Sequence, residues 1–306
     1  MSLEHDECKA SITHCCSLLG YTKQAYFKQL KVIEKEAMQE DLILYEVQLI
    51  RESQPVIGGR KLFYIISKRL TGAIKIGRDA FFNTLREHKL LIHRKRAAKP
   101  ITTISWYHFH KYPNLIKDIT PLKPNEIWVA DITYLTSRYG TFFYLSLITD
   151  AYSRKIIGWY LSVDLSMEGP LHALEMALHR LPKGQHPIHH TDRGIQYCSN
   201  AYTKRLKDAG LQISMTQSGN PRENAIAERV NGILKDEWLN KLELRSIEQA
   251  GDIIGKVIDI YNNERPHESL NMMTPQEAYS SNGPIKRTWK TCYKKRKGEN
   301  CMNAYF

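Results

Sequence analysis

Between residues 126 and 216 the chain switches repeatedly between short β-rich runs and segments of helical period. IWVADITYL (127–135), FFYLSLITD (142–150) and KIIGWYLSV (155–163) are dense in β-branched and aromatic residues. Turn signals at Tyr139-Gly140 and at Ala151-Tyr152-Ser153-Arg154 separate them, so they predict an antiparallel meander of three strands. MEGPLHALEMALHRL (167–181) reads as a helix, and HPIHHTD (186–192) as a short strand ending at Asp192. Ser199 is placed to cap a helix over NAYTKRLKDAG, LQISMT (211–216) gives a fifth strand, and a long helix is expected over 222–241. Three strands, helix, strand, helix, strand, helix predicts an α/β domain, a mixed five-stranded sheet with flanking helices on both faces.

The first third of the chain has helical period and no strand signal. Residues 7–36 read as two short helices broken at Leu19-Gly20, the second capped by Thr22. A separate helix follows at 38–52, with Leu42, Tyr45, Leu49 and Ile50 as its apolar stripe, and Gln54-Pro55 ends it. A second helical unit spans 56–92, with a Gly58-Gly59 turn, a helix from Arg60 to Leu70, and Asp79 as the expected cap of AFFNTLREH. Small all-α helix-turn-helix units of this kind suit a DNA major groove, and equally suit an ordinary helical hairpin. From 93 to 125 periodicity lapses among Pro100, Pro113, Pro121 and Pro124, which predicts a linker without a core of its own. Trp106, Tyr107, Phe109 and Tyr112 within it are expected to pack against a neighbouring domain rather than to stack on bases. The resulting segments are 1–36, 37–95, 96–125, 126–280 and a basic tail at 281–306.

Charge narrows the partners. The 306 residues carry a formal net charge of +12 with 32 acidic residues still present, a balance that favours a polyanion. Residues 86–99 hold six Lys or Arg against one Glu, and 286–297 hold seven with no acid, interleaved with Trp289 and Tyr293. The first run, including Arg94, Lys95 and Arg96, is expected to touch phosphates; the tail is expected to be disordered and to add non-specific affinity. No apolar run approaches the roughly 20 residues of a spanning helix, which argues against a membrane. MSLEHDECKA shows no signal peptide, and the six cysteines form no regular framework and read as free thiols of a reducing compartment. His5, Cys8, His14 and Cys15 are crowded, but a zinc site there is not expected.

Three carboxylates carry the candidate chemistry. Asp131 lies mid-strand among apolar neighbours, where an acid is costly unless it binds a metal or a partner. Asp192 ends a strand before Arg193-Gly194, at the carboxyl edge where α/β sheets place ligands. Glu228 follows Asp192 with thirty-five residues between them, and on a helix it shares a face with Asn224, Asn231 and Lys235. Three converging carboxylates can hold two divalent ions and drive in-line displacement at phosphorus. Asp150 reads as structural, Glu237 as a surface helix acid, and one of His189 and His190 as a packed strand residue, the other as an orienter of DNA or water. GDIIGKV (251–257) only mimics a phosphate loop, so no ATP site is expected.

These blocks together resemble the DDE transposase and retroviral integrase superfamily, and within it the second-reading-frame product of IS3-family insertion sequences. The resemblance runs from about residue 20 to 280 and rests on GGRKL (58–62), WVADITYL (128–135), HTDRGIQY (190–197), NAIAERVNGILKDE (224–237) and YNNERPHESLNMMTPQEAY (261–279). It implies a ribonuclease H-like catalytic core in which Asp131, Asp192 and Glu228 hold two Mg2+ or Mn2+ ions, without ATP. It implies that Lys235, at the family's basic offset, binds DNA together with Asn224, Asn231, Arg193, Arg60, Lys61, Arg94, Lys95 and Arg96. Arg265 and His267 are left between DNA contact and locking the terminal helix. Glu223, where relatives show Asp, implies altered DNA contact. The implied partners are double-stranded DNA (terminal inverted repeats and target), further copies of the chain, and a first-frame protein fused by frameshifting. The implied place is the bacterial cytoplasm, on the nucleoid. A nuclease that cuts without joining and a non-enzymatic DNA-binding protein are the alternatives.

Overall fold

The structure is a computed structural model that describes residues 11–72, 76–92, 110–117, 119–137, 139–217 and 221–285. The chain divides into two compact units, one of residues 1–53 with 58–92, the other of 54–57 with 93–306.

The first unit contains α1 (Ile12–Leu18), α2 (Lys23–Ser53), α3 (Gly59–Arg69) and α4 (Arg78–Glu87). Thr22 does cap the second helix, accepting the Ala25 N–H at 3.1 Å. That helix then runs unbroken for 31 residues, across the boundary expected near 36, because nothing between Lys23 and Ser53 breaks a helix. Ile43, Val47 and Ile50 of α2 are buried at helical spacing, as are Leu62 and Ile66 of α3 and Phe81 and Leu85 of α4. The Phe63 and Phe81 rings sit 5.5 Å apart. Gly59, where α3 begins, packs closely on the Phe82 ring, 2.9 Å from where a Cβ would fall. The cap of α4 is Gly77, not Asp79; Asp79 lies in the first turn, where its charge faces the positive end of the helix.

The second unit contains β1 (Ile127–Thr136), β2 (Phe142–Asp150), β3 (Ile156–Ser162), α5 (Glu168–His179), β4 (Ile188–Thr191), α6 (Ile195–Cys198), α7 (Asn200–Asp208), β5 (Gln212–Met215), α8 (Ala225–Glu237), α9 (Ile247–Asn263) and α10 (Pro275–Tyr279). The sheet order is β3-β2-β1-β4-β5. β1, β2 and β3 form the antiparallel meander, and β4 and β5 are each parallel to the preceding neighbour. This is the mixed five-stranded sheet with flanking helices that the sequence predicts.

The two sheet faces bury different helices. On one, Leu135, Phe143, Leu145 and Leu147 pack with Val230, Ile233 and Leu234 of α8 and with Ile254, Val257 and Tyr261 of α9. On the other, Trp128, Ala130 and Ile148 pack with Ala173 and Ala177 of α5 and with Tyr202 and Leu206 of α7. Gly158 of β3 lets α5 approach closely, because a Cβ there would lie 2.1 Å from the Ala173 carbonyl oxygen.

Two expectations change here. Part of the presumed linker belongs to the core: Tyr112 packs against the α5/α7 face, and Ile116 against Ile127 and Val129. The Pro113 carbonyl accepts the Met215 N–H at 3.2 Å, and the Leu115 N–H donates to Ser214 Oγ at 2.9 Å, fixing this stretch along β5. The helix expected over 222–241 is shorter, because Trp238 leaves helical geometry and is buried with Leu239 in the core. Trp106, Tyr107 and Phe109 lie outside the described residues, as do His5, Cys8 and the tail from 286 onward. Among the described residues no helix is long and apolar enough to cross a membrane.

Candidate active site

β1 is the central strand, and its register places the acids. Val129 pairs with His190 across the parallel β1–β4 ladder. Continuing that register two residues along each strand sets Asp131 beside Asp192, where β4 has just ended. Asp131 faces α8: its Oδ2 accepts the Asn231 Nδ2–H at 2.8 Å, while its Oδ1 accepts the Ile132 N–H at 2.9 Å. Asp192 turns back on its own loop, where Oδ1 accepts the Gly194 N–H at 2.9 Å. Glu228 occupies the first turn of α8, at an exposed position.

The charges of Asp192 and Glu228 reach Asp131, and that of Asp192 reaches Glu228. Burial, then the nearby charges of Asp192 and Glu228, push the Asp131 carboxyl up to about 7 against hydrogen bonds from Asn231 and Ile132. Burial also raises Asp192, and burial together with the Asp192 charge raises Glu228. The half-buried Lys235 ammonium feels Asp131 and sits 4.2 Å from the centroid of the Tyr134 ring. The carboxylates sense one another without sharing a coordination shell: among the described residues no three acids, histidines or cysteines are gathered closely enough to hold an ion.

The donor set nonetheless fits a hard divalent cation. It offers three carboxylates and two amide oxygens, those of Asn224 and Asn231, which are buried without a donor among the described residues. Repulsion among the acids is what an ion of charge two would relieve.

Several residues expected at DNA are buried in the fold. Asn224 and Asn231 are both buried, the first donating through Nδ2 to the Ala130 carbonyl at 3.0 Å. They fasten α8 to β1 on either side of Asp131, because an amide at those helix positions points at the sheet. Arg265 is 1% exposed and forms a two-pronged ion pair with Glu237 at 2.7 and 2.6 Å. It locks the segment after α9 onto α8, and Glu237 is not the free surface acid expected. His267 is buried with its ring 5.1 Å from Tyr261, also in the core.

Both strand histidines are packed, where one was expected to face DNA or water. Burial lowers His189 to about 3 and His190 to about 4, keeping both neutral. His190 Nε2 donates to the Glu223 carbonyl at 3.1 Å, so its Nδ1 accepts from Ser214 Oγ at 2.8 Å. The Glu223 carboxylate itself receives the Gln217 N–H. Asp150 is structural as expected: it is fully buried and accepts from the Asn125 N–H, the Ser153 N–H and the Ser153 hydroxyl.

Arg193 stays next to Asp192, half-buried, with Nε lacking a partner among the described residues. In the first unit, Arg60 is exposed and Lys61 half-buried in the first turn of α3. Arg94, Lys95 and Arg96 lie outside the described residues. Sequence reasoning overlooked Tyr197, whose buried hydroxyl has no partner among the described residues and lies within electrostatic reach of Asp131 and Asp192. Its only sequence signal is its place in HTDRGIQY.

A mixed sheet carrying one acid within the central strand β1, one just past the end of the adjacent β4 and one in the first turn of α8 is the arrangement of an integrase-type polynucleotidyl transferase core. Models of the integrase core domain match residues 121–221 and 209–275. The insertion element IS600 uncharacterized 31 kDa protein of Shigella sonnei is 31% identical over 266 residues, covering 85% of this chain and 95% of that protein. The transposase for insertion sequence element IS629 of Shigella sonnei is 32% identical, covering 79% and 80%. The HTLV-2 integrase catalytic core domain, solved in complex with magnesium, aligns with a TM-score of 0.42 at 20% identity, over 52% of this chain and 99% of that one. The chain belongs to the IS3 family of DDE insertion-sequence transposases.

Proposed function

We propose that Asp131, Asp192 and Glu228 together hold two divalent ions, Mg2+ or Mn2+, and that the chain cuts and joins DNA at the ends of its element. The observation that carries this reading is a set of three mutually repelling acids delivered by β1, the end of β4 and the first turn of α8. Glu228, exposed in the first turn of α8, would be the third ligand. When bound, the ions supply an activated oxygen nucleophile and charge neutralisation at phosphorus.

The protein's own groups prepare that centre. Asn231 holds the Asp131 carboxylate, the Gly194 N–H holds Asp192, and Asn224 pins the start of α8 to β1. Lys235 and Arg193, flanking the acids, hold the phosphate backbone as cations. In the first reaction an oxygen of water bonds to phosphorus and the P–O3′ bond breaks, leaving a 3′-hydroxyl at the element end. In the second that hydroxyl bonds to another phosphorus and displaces its 3′-oxygen. One phosphodiester replaces another, so no nucleotide energy is needed.

The first unit is the reader of terminal inverted repeats, with the first turn of α3 at phosphates through Arg60 and Lys61. Two or more copies bridge the two ends, alone or with a first-frame protein, in the bacterial cytoplasm. The test is strand transfer on end-containing duplexes with Mg2+ or Mn2+. Wild type gives joined strands, and Asp192→Asn loses at least about 10³-fold, as removal of a metal's charge stabilisation requires. Equal activity in Asp192→Asn would rule the chemistry out; nicks without joining would favour a nuclease.

A further inference from the structure

α6 is a single turn that follows Asp192 and Gly194, and its third residue is Tyr197. The ring is 2% exposed and meets Tyr202 edge-on, with centroids 5.3 Å apart at 71°. Asp192 and Tyr197 both lie against Gly194. A Cβ on that glycine would lie 2.9 Å from Asp192 Oδ1 and 3.4 Å from Tyr197 Cδ2, so carboxylate and ring edge flank the same backbone atom.

The Tyr197 hydroxyl has no hydrogen-bond partner among the described residues. Leaving a buried hydroxyl unpaired costs about 1–3 kcal/mol. A phenylalanine would fill the same space and keep the edge-on contact without that cost. Tyr202 differs, because its hydroxyl is already bonded to His189 at 2.8 Å. The acceptors near Tyr197 are also unequal. Asp131 has a donor on each oxygen, whereas Asp192 has one on Oδ1 alone among the described residues.

We propose that Tyr197 is a positioning residue: its hydroxyl donates to the second carboxylate oxygen of Asp192 and holds that carboxylate oriented toward a divalent ion. The proposal rests on the metal-binding reading above. In the ion-free state the hydroxyl is idle. In the loaded state it fixes a ligand's orientation, as outer hydrogen-bond partners of metal ligands do, where their loss costs about 10–100-fold in metal affinity.

The test is Mn2+ titration by calorimetry on the full chain, beside thermal melting in EDTA, for wild type, Tyr197→Phe and Tyr202→Phe. Tyr197→Phe is expected to melt no lower than wild type in EDTA and to bind Mn2+ at least about tenfold more weakly. Tyr202→Phe is expected to melt lower and to bind Mn2+ like wild type. Unchanged Mn2+ affinity in Tyr197→Phe overturns the proposal. So does a lowered melting temperature of that variant in EDTA, since the hydroxyl would then already be bonded. Failure of wild type to bind Mn2+ overturns the metal-site reading instead.

Discussion

Charged groups meet at both ends of α8, and they are built on opposite principles. At its C-terminal end Glu237 meets Arg265 in a two-pronged pair, both charges matched and hydrogen-bonded. At its N-terminal end stands Glu228, whose charge with that of Asp192 raises Asp131 and which is itself raised by Asp192. The first arrangement holds the segment after α9 against the helix and has no charge left to offer. The second is left short of positive charge, with two unpaired amide oxygens beside it. One helix therefore carries a finished structural joint and an unfinished site that a cation would complete. The difference shows that a buried acid by itself says little; what surrounds it separates fold from chemistry.

The comparison can be broken most forcefully at the finished end. Arg265→Ala leaves Glu237 without its counter-charge and is expected to destabilise the catalytic unit by about 3–5 kcal/mol, read as a drop in urea midpoint. A change under about 1 kcal/mol would show that the pair does not lock the terminal segment.

A third buried group, His189 of β4 against Tyr202 of α7, is kept neutral. Burial holds His189 at about 3, below its ordinary 6.5, so the unfolded chain takes up the proton first as pH falls. Stability contributed by this residue is full above about pH 6.5 and is lost progressively toward about pH 3. Denaturant midpoints measured across that window should fall for wild type by up to about 1.4 kcal/mol per pH unit from this group. His189→Phe should flatten that limb, and an unchanged slope would contradict the buried neutral imidazole.

The smallest expected effect has the opposite sign. Asp131→Asn keeps an acceptor for Asn231 but removes the crowded charge, so at pH 8 in EDTA it should stabilise the protein. The gain is expected at about 1 kcal/mol. Destabilisation of that size would mean the acids are compensated after all.

Much of this was legible in the chain. FFYLSLITD matches β2 residue for residue, and Ser199 caps α7 as expected. The strand runs carried strong local signals, and the turns between them fixed the meander. What stayed hidden depended on contacts between distant segments. The inward direction of Asn224 and Asn231 follows from how α8 rotates against β1, which shared-face arithmetic does not supply. Arg265 reads as a DNA contact until Glu237, 28 residues earlier, is placed beside it. Helix α9 was missed although its signal is local: Ser246 caps through the Gln249 N–H, and Ala250, Ile254, Val257 and Tyr261 recur at helical spacing. The prolines of 110–125 masked a stretch held by single hydrogen bonds to β5, which leave no periodic trace.

The most direct measurement is an anomalous difference map from crystals of the full chain soaked in Mn2+. The account expects two peaks, about 3.5–4 Å apart, bounded by Asp131, Asp192 and Glu228. Ordered manganese elsewhere, with those three carboxylates still apart and bare, would contradict it.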